Sequence, residues 1–351
     1  MSKFAKMTAA YSVVHYIVDF SCAFMIFSKV YGDEQWVLCL LLYNFCAFAM
    51  QLPFGILADK MNQNRRFAAI GCALVATSPL LAPLPVGLCI AAGLGNGLFH
   101  IGGGRDVLCG SGGKYSALGV FVAPGALGLF IGTLAGKTGV ISAIIVSAVL
   151  LFCMVVILFF LPAYHDKKRM DYMPFSLKPS GGKIAIALLA LFFVVVCLRS
   201  YVGMTLTFPW KSHGLWGFVL VLALVFGKML GGVLADKFGD QRLASISLLA
   251  SGVLFFFYKI PVCGVLAVLF FNMSMPITLG AAAKLLPGAR GTSFGLLTFG
   301  LFIGFLPVAL GAPRLLNLPL GYAIAALVSA ILLSLGLKES NKCNLTSLEH
   351  S

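Results

Sequence analysis

The feature that most constrains this chain of 351 residues is a series of apolar stretches separated by short clusters of glycine, proline and charge. A helix that spans a bilayer needs about 20 predominantly apolar residues. Because 60% of the residues are hydrophobic and only 10% are charged, a water-soluble domain is excluded. The sequence therefore predicts an all-α integral membrane protein whose solvent is mostly lipid.

Twelve transmembrane helices are predicted from the spacing of the apolar stretches. The third and ninth stretches are short, and Gly102-Gly103-Gly104 interrupts the fourth, so ten or eleven helices remain alternatives. The predicted helices are about 7–29, 36–58, 67–83, 86–108, 115–135, 139–161, 184–207, 213–235, 243–258, 261–286, 289–311 and 317–337.

The net charge is +14, and the basic residues that produce it are concentrated in alternate loops. Loops rich in lysine and arginine stay in the cytoplasm. With the N-terminus inside, the outer side carries only Lys29, Lys137, Lys211, Lys259 and Arg314. We therefore predict cytoplasmic N- and C-termini, no nucleic-acid partner, and a multi-pass protein of the plasma membrane, such as a bacterial inner membrane.

A polar stretch divides the twelve helices into two groups of six. Residues 162–183 contain several charges and three prolines and are predicted to form a cytoplasmic linker. This gives an N-terminal six-helix bundle, 1–161, a C-terminal six-helix bundle, 184–338, and a cytoplasmic tail, 339–351. Leu348-Glu349-His350 in the tail is interpreted as an expression-vector remnant.

An internal repeat supports two equivalent halves. The segment from Gly55 to Lys60 reads Gly-Ile-Leu-Ala-Asp-Lys, and the segment from Gly232 to Lys237 reads Gly-Val-Leu-Ala-Asp-Lys. Each copy ends the second helix of its half, as expected for a duplicated bundle. The aspartate of each copy can accept hydrogen bonds from a neighbouring helix N-terminus or pair with the following arginine. The predicted cytoplasmic gate comprises Gly55, Asp59, Arg65, Arg66, Gly232, Asp236 and Arg242.

Two such loops in a six-plus-six chain resemble the signature loop of the major facilitator superfamily. The first copy departs from that pattern at Met61-Asn62, whereas the second keeps Phe238-Gly239. The stretches 15–19, 95–100 and 198–201, with Phe208-Pro209, also resemble the fosmidomycin-resistance branch. This resemblance implies transport by alternating access and proton-driven drug efflux.

Helix five contains a small-residue stripe, from Gly119 to Gly128, that lets helices pack closely and pivot. The stripe loosely resembles the antiporter motif of the superfamily, although Ala123 stands where a glycine is usual.

One carboxylate, Asp19, is placed well within a predicted helix, and His15 lies four residues earlier on the same helical face. An ionisable group at the bilayer centre costs at least about 2.5–3.5 kcal/mol, so it calls for a partner or a function. We predict that Asp19 and His15 carry a coupling proton. The alternative is that they only satisfy each other and a neighbouring helix.

Four polar residues are predicted to bind substrate: Arg199, His100, Asn96 and Tyr201. Asn96 and His100 form an i, i+4 pair in helix four, and the glycines that follow either open this helix or pack it closely. Arg199 lies deep in helix seven, where its guanidinium can pair with Asp19 or hold a carboxylate or phosphate group. An anionic or zwitterionic substrate is therefore predicted.

Two basic residues keep open roles. Arg105, with Asp106, lies at the cytoplasmic end of helix four, where it can act as an interfacial anchor. Lys228 lies about two turns from the end of helix eight and can snorkel towards the cytoplasm.

An enzyme is the competing class of function. A metal-assisted hydrolase could use His15, Asp19 and His100, but the chain contains no HExxH, nucleophile elbow or phosphate loop. The prediction is a transporter without catalytic residues, cofactor or metal site. Its partners are a small-molecule substrate, protons and membrane lipid, and it is predicted to be a monomer. Proton-coupled efflux is favoured, and an uptake carrier for an organic anion or nutrient remains the alternative.

Overall fold

The helices begin and end at residues whose local chemistry suits these positions. The computed structural model describes residues 2–162, 174–312 and 318–349. Ser2 precedes the first helix and accepts a hydrogen bond from the Ala5 backbone N–H at 3.1 Å. Asn62 ends the second helix in the left-handed conformation, with φ of 53°. The helices are α1 (Lys3–Lys29), α2 (Trp36–Met61), α3 (Asn64–Thr77), α4 (Pro85–Gly110), α5 (Ser116–Thr138), α6 (Ala143–Phe160), α7 (Gly182–Thr205), α8 (Trp216–Phe238), α9 (Asp240–Phe256), α10 (Pro261–Leu285), α11 (Arg290–Ala309) and α12 (Pro319–Glu349).

The described residues form helices at all twelve predicted places and contain no strand, which confirms the all-α multi-pass membrane fold. Within the described part of the chain, ten helices are long and apolar enough to cross a membrane. The other two, α3 with 14 residues and α9 with 17, are the short third and ninth segments of the prediction. α3 continues into the 3₁₀ turn Ser78–Leu81.

Three helices are interrupted along their length. α2 contains the π-helical turn Phe45–Ala49, and α10 consists of Pro261–Asn272 and Ser274–Leu285. α5 consists of Ser116–Val122 and Gly125–Thr138, because Pro124 has no N–H to continue the helical hydrogen bonds. The triple glycine of α4 does not interrupt that helix.

The chain forms two compact units, which are not continuous in sequence. Unit 1 is Met1–Gly110, Pro124–Pro174 and Arg290–Phe299, and unit 2 is Ser111–Ala123, Phe175–Ala289 and Gly300–Ser351. The chain thus changes unit within α5 and within α11. The division at a linker over 162–183 stays a prediction. Residues 163–173 of that linker, Arg314 and His350 lie outside the described residues.

Small residues on α5 position the polar centre of unit 1. Gly128 and Gly132 lie directly against the backbone carbonyls of Tyr16 and Phe20, so that a Cβ at either glycine would overlap with α1. One turn earlier, Gly125 lies against the side chains of α1. The stripe of small residues therefore brings α1 and α5 into backbone contact beside the buried polar residues of α1.

Close packing also explains the glycines of α4. A Cβ at Gly102 would lie 2.5 Å from the Ala68 backbone nitrogen of α3, and a Cβ at Gly104 would lie 2.5 Å from the Phe294 ring. Of the two roles considered for these glycines, the structure favours close helix packing.

Candidate functional site

Four polar side chains of α1 and α4 meet inside unit 1. His15 and Asp19 on α1 and Asn96 and His100 on α4 are each at most 9% exposed. Nε2 of His15 lies 3.2 Å from Oδ2 of Asp19 and 2.8 Å from Nε2 of His100. Nδ2 of Asn96 donates to Oδ1 of Asp19 at 2.8 Å. We call these four residues the polar cluster.

The hydrogen bonds of the polar cluster indicate which histidine ring nitrogens carry a hydrogen. Nδ1 of His100 lies 2.9 Å from the Asn96 backbone carbonyl, which can only accept, so Nδ1 carries a hydrogen. Nε2 of a neutral His100 is then an acceptor. When His100 is neutral, His15 therefore provides the hydrogen between the two Nε2 atoms. Nε2 of His15 also faces Oδ2 of Asp19, so it contacts both of the other ionisable residues.

Apolar and small residues enclose the polar cluster. The Phe99 ring lies 6.2 Å from the His15 ring, measured between centroids, and is fully buried. Gly125 of α5 approaches so closely that a Cβ there would overlap with both Asp19 and His15. The sequence predicted proton coupling for His15 and Asp19 and substrate binding for Asn96 and His100. The structure places both halves together, while the roles themselves stay predictions.

The first copy of the repeated loop caps a helix inside unit 1. Asp59 accepts from the backbone N–H groups of Gly291 and Thr292 at 2.9 and 2.7 Å, and from the Thr292 hydroxyl at 2.8 Å. It also pairs with Nε of Arg105 at 2.6 Å, and its side chain is only 1% exposed. Of the two alternatives for this aspartate, the helix N-terminus is the one observed.

Arg105 and Asp106 extend this contact into a buried network, which sequence reasoning missed. Arg105 donates to Oδ1 of Asn64 at 2.7 Å, and Nδ2 of Asn64 donates to Asp106 at 2.6 Å. The Tyr11 hydroxyl also donates to Asp106, at 2.8 Å. The interpretation of Asp106 as an interfacial residue was wrong, because the residue is fully buried. Asp19 is therefore not the only buried carboxylate among the described residues.

Among the described residues, the ion-pair partner of Asp59 is Arg105, and neither of the predicted gate residues Arg65 and Arg66 pairs with this aspartate. Arg65 donates to the Leu161 carbonyl at 2.9 Å, and so satisfies an acceptor at the C-terminal end of α6. Arg66 is exposed and donates to the Gln63 side chain at 2.8 Å.

The second copy of the loop makes the equivalent cap inside unit 2. Asp236 accepts from the backbone N–H groups of Tyr115 and Ser116 at 2.8 and 2.9 Å, at the start of α5. The Tyr115 hydroxyl donates to Asp240 at 2.5 Å and accepts from Lys284 at 2.7 Å. Burial and the Asp240 carboxylate raise the pKa of the Tyr115 phenol above its ordinary value.

The two other predicted gate residues of unit 2 differ in their surroundings. Gly232 is buried, and a Cβ there would lie 2.5 Å from the Tyr115 carbonyl. Arg242 is exposed.

Arg199 is the most unusual charge of unit 2. It lies in α7 and is 9% exposed. No residue within 2–162, 174–312 and 318–349 accepts a hydrogen bond from its Nη1. Tyr201, two residues later, is partly exposed. An arginine stays charged in proteins, so this guanidinium is a buried cation without a counter-ion at Nη1.

Lys228 of α8 contacts the first segment of the interrupted helix α5, and both lie in unit 2. Its Nζ donates to the Val122 carbonyl at 3.3 Å, where the first segment of α5 ends. The lysine therefore satisfies a carbonyl that the proline break leaves without a helical donor, and simple snorkelling is not what the structure shows.

Comparison with known proteins identifies the fold. No protein-family model and no curated protein sequence matches the chain. Solved structures do match. A variant of the E. coli fucose:proton symporter FucP is 15% identical with a TM-score of 0.67, and the alignment covers 96% of this chain and 99% of that one. The human organic anion transporter MFSD10 is 14% identical with a TM-score of 0.65, covering 97% and 99%.

A bacterial homologue of the iron transporter ferroportin, in its outward-facing state, is 14% identical with a TM-score of 0.63, covering 98% and 99%. FucP is a transporter of the major facilitator superfamily. These proteins carry different substrates on one architecture, and at such low identity the likeness shows the fold alone. The chain has the twelve-helix fold of major facilitator superfamily transporters.

Proposed function

We propose that this protein is a secondary active transporter that moves a small anionic or zwitterionic molecule by alternating access, and that proton-coupled efflux is its physiological mode. The fold supports transport, because the matched structures are all transporters. It does not select a substrate, since fucose, organic anions and iron are all named among those proteins.

The buried guanidinium of Arg199 is the observation that carries the substrate class. Removing a charge from water without a partner costs several kcal/mol. A carboxylate, phosphate or phosphonate group of a substrate would repay this cost through a bidentate hydrogen-bonded pair. MFSD10, which has the same fold, is an organic anion transporter. The favoured substrate therefore carries at least one planar or tetrahedral anionic group.

The polar cluster supports coupling to protons. Nε2 of His15 contacts both Asp19 and His100, and the cluster is shielded from water by its burial. A carboxylate and an imidazole in contact can gain or lose one proton in the physiological range. FucP, which has the same fold, is a fucose:proton symporter, so this fold also supports movement of substrate and proton in the same direction. An uptake carrier therefore remains the second candidate, and the resemblance to drug exporters favours efflux.

The test is proton flux in sealed proteoliposomes that contain a pH-sensitive dye and a metal chelator. Phosphonates, carboxylates and cationic drugs are added outside in turn. We expect proton movement evoked by an anion and abolished in Asp19→Asn, with substrate binding retained. The exposed outer-loop variant Glu34→Gln is the matched control for loss of one carboxylate charge. Proton-driven accumulation that persists in Asp19→Asn would refute the coupling role.

Arg199→Lys tests the anion site separately. Lysine keeps the charge but cannot form the bidentate pair, so the dissociation constant of the substrate should rise roughly 10-fold or more. Lys211→Arg in an exposed outer loop is the control for a lysine–arginine exchange. An unchanged dissociation constant in Arg199→Lys, or a response to cationic drugs alone, would overturn the anionic substrate.

A further inference from the structure

We infer that His15, Asp19 and His100 form a binding site for a divalent transition-metal ion of the Zn²⁺ and Co²⁺ type. One nitrogen of each histidine and one carboxylate oxygen of Asp19 all lie within 4.8 Å of one another, and all three residues are buried. The inference goes beyond transport of an anion and does not depend on it, since metal binding can be measured without any substrate.

The spacing of the three donors suits a small metal ion. With metal–nitrogen bonds of about 2.0–2.1 Å, two ligands of a tetrahedral ion lie about 3.3–3.4 Å apart. The two Nε2 atoms lie 2.8 Å apart, Nε2 of His15 lies 3.2 Å from Oδ2 of Asp19, and Nε2 of His100 lies 3.9 Å from Oδ1 of the same carboxylate. One carboxylate oxygen and the two ring nitrogens all lie within 4.8 Å of one another, so movements of up to about 1.5 Å bring three donors to the tetrahedral spacing.

The donor types select the class of metal. Two imidazoles and one carboxylate suit zinc, cobalt, iron or nickel, whereas Ca²⁺ and Mg²⁺ prefer sites made of oxygen alone. Three protein ligands leave a fourth position for water or another ligand, as in sites where a metal ion exchanges or reacts. The single negative charge of Asp19 also favours a cation over a neutral ligand.

Hydrogen bonds to neighbouring residues already orient the donors. His100 donates from Nδ1 to the Asn96 carbonyl, which leaves Nε2 as the metal-binding nitrogen. Asn96 also donates to Oδ1 of Asp19 and to Sγ of Cys22, at 2.8 and 3.6 Å. Such partners of metal-binding histidines and carboxylates fix the ring and raise affinity. Asn96 is therefore a positioning residue for both His100 and Asp19.

The metal ion would lie between Nε2 of His15, Nε2 of His100 and the Asp19 carboxylate. When its coordinate bonds to these three residues form, a hydrogen on Nε2 of His15 leaves to solvent and the hydrogen bond between the two histidines is lost, while no other N–H or O–H bond breaks. Gly125 lies against this point, where any side chain would overlap with Asp19 and His15. The sequence analysis considered these three residues only as ligands of a metal-assisted hydrolase, and it predicted no metal site because the chain contains no HExxH, nucleophile elbow or phosphate loop.

The test is a titration of the full-length, chelator-treated protein in detergent with Co²⁺ alone. Its visible absorption reports both occupancy and coordination. We expect saturation at one Co²⁺ per chain, with the bands of a low-coordinate ion, and displacement by Zn²⁺. His15→Gln and His100→Gln each remove one ligand and should abolish the bands. Asn96→Ala removes the hydrogen bond that orients Asp19 and should weaken binding about 10- to 100-fold.

The control is His213→Gln, which removes an exposed histidine of the loop before α8 and should leave the titration unchanged. Thermal unfolding without metal checks that each variant is folded, and because the two ligand variants act separately, failure of one to fold leaves the other informative. Absence of saturable Co²⁺ binding would overturn the inference. Saturable binding that survives in a folded His100→Gln variant would do the same.

The titration contains neither substrate nor a proton gradient, and the flux assay contains a chelator. Failure of the metal site is therefore distinguishable from failure of the anion transporter.

Discussion

The same six-residue loop occurs in both units, yet its aspartate lies in two different environments. Asp59 of unit 1 is almost completely buried, pairs with Arg105 and caps α11 with three further hydrogen bonds. Asp236 of unit 2 is exposed and accepts from two backbone N–H groups of α5. The difference arises outside the repeat. Arg105 of unit 1 pairs with Asp59, whereas Lys284 of unit 2 donates to the Tyr115 hydroxyl and not to Asp236.

The repeated motif places a carboxylate at a helix N-terminus in both units, but the contribution of this contact to stability differs between them. Both aspartates bind a helix N-terminus, where a carboxylate is favoured by the unsatisfied N–H groups. Only Asp59 also balances a buried guanidinium. We therefore expect the unit 1 loop to be rigid and insensitive to salt, and the unit 2 loop to be weaker and screened by salt.

The largest effect is expected from Asp59→Ala. The variant removes the carboxylate that pairs with Arg105 and leaves this largely buried guanidinium only the neutral acceptors Asn62 and Asn64, which should lower the free energy of unfolding by about 3–5 kcal/mol. Asp236→Ala loses only a helix cap and should cost about 0.5–2 kcal/mol. Equilibrium unfolding in mixed micelles measures both. Equal losses for the two variants would contradict the comparison.

A double variant separates the charge from the cap. Asp59→Ala with Arg105→Met leaves no uncompensated charge, so it should recover part of the stability that Asp59→Ala loses. If the double variant is less stable than the single one, the buried pair is not the cause of the difference.

An intermediate effect is expected where the two loops are alike. A Cβ at Gly55 would overlap with the Gly291 carbonyl, and a Cβ at Gly232 would lie 2.5 Å from the Tyr115 carbonyl. Both neighbours are backbone atoms and cannot rotate away. Gly55→Ala and Gly232→Ala should therefore each cost about 1–3 kcal/mol, as overpacking does. If Gly232→Ala left the free energy of unfolding unchanged, the two units would differ in packing as well as in charge.

The smallest effect is expected from Tyr115→Phe, which removes one hydroxyl and should cost about 1 kcal/mol near neutral pH. The pKa of this phenol is raised in the native state, so the folded protein keeps the proton after the unfolded chain has lost it. The stabilisation is complete below about pH 10 and decreases as the pH rises above that value. The difference between wild type and Tyr115→Phe should therefore narrow at alkaline pH. Tyr31→Phe, at an exposed ring, serves as the control, and a constant difference would exclude the pKa shift.

The sequence predicted the fold well because the signal is local. Each apolar stretch is long enough to form a helix by itself, and the proline break in α5 follows from Pro124 alone. The aspartate caps were also predictable as one of two alternatives, since the loop occurs twice at equivalent places.

The composition of the polar cluster could not be read from local patterns. His15 and Asp19 are neighbours on one helical face, but their contact with His100 depends on how α1 packs against α4. Asp106 was misplaced for the same reason. It lies one turn from a helix end, where exposure is usual, and only Tyr11 and Asn64 from two other helices make it a buried carboxylate.

The cap on Asp59 also has a consequence for biogenesis. Its partner Thr292 follows 233 residues later in the chain. At about 5–20 residues per second, the ribosome completes this partner roughly 12–47 s after Asp59. Until then the Asp59–Arg105 pair lacks the N–H groups of α11, so the first four helices can enter the membrane but cannot finish their own unit. The assembly of unit 1 is therefore one of the last steps of synthesis, and a nascent chain that stalls before α11 exposes an incomplete polar site to the cell's quality control.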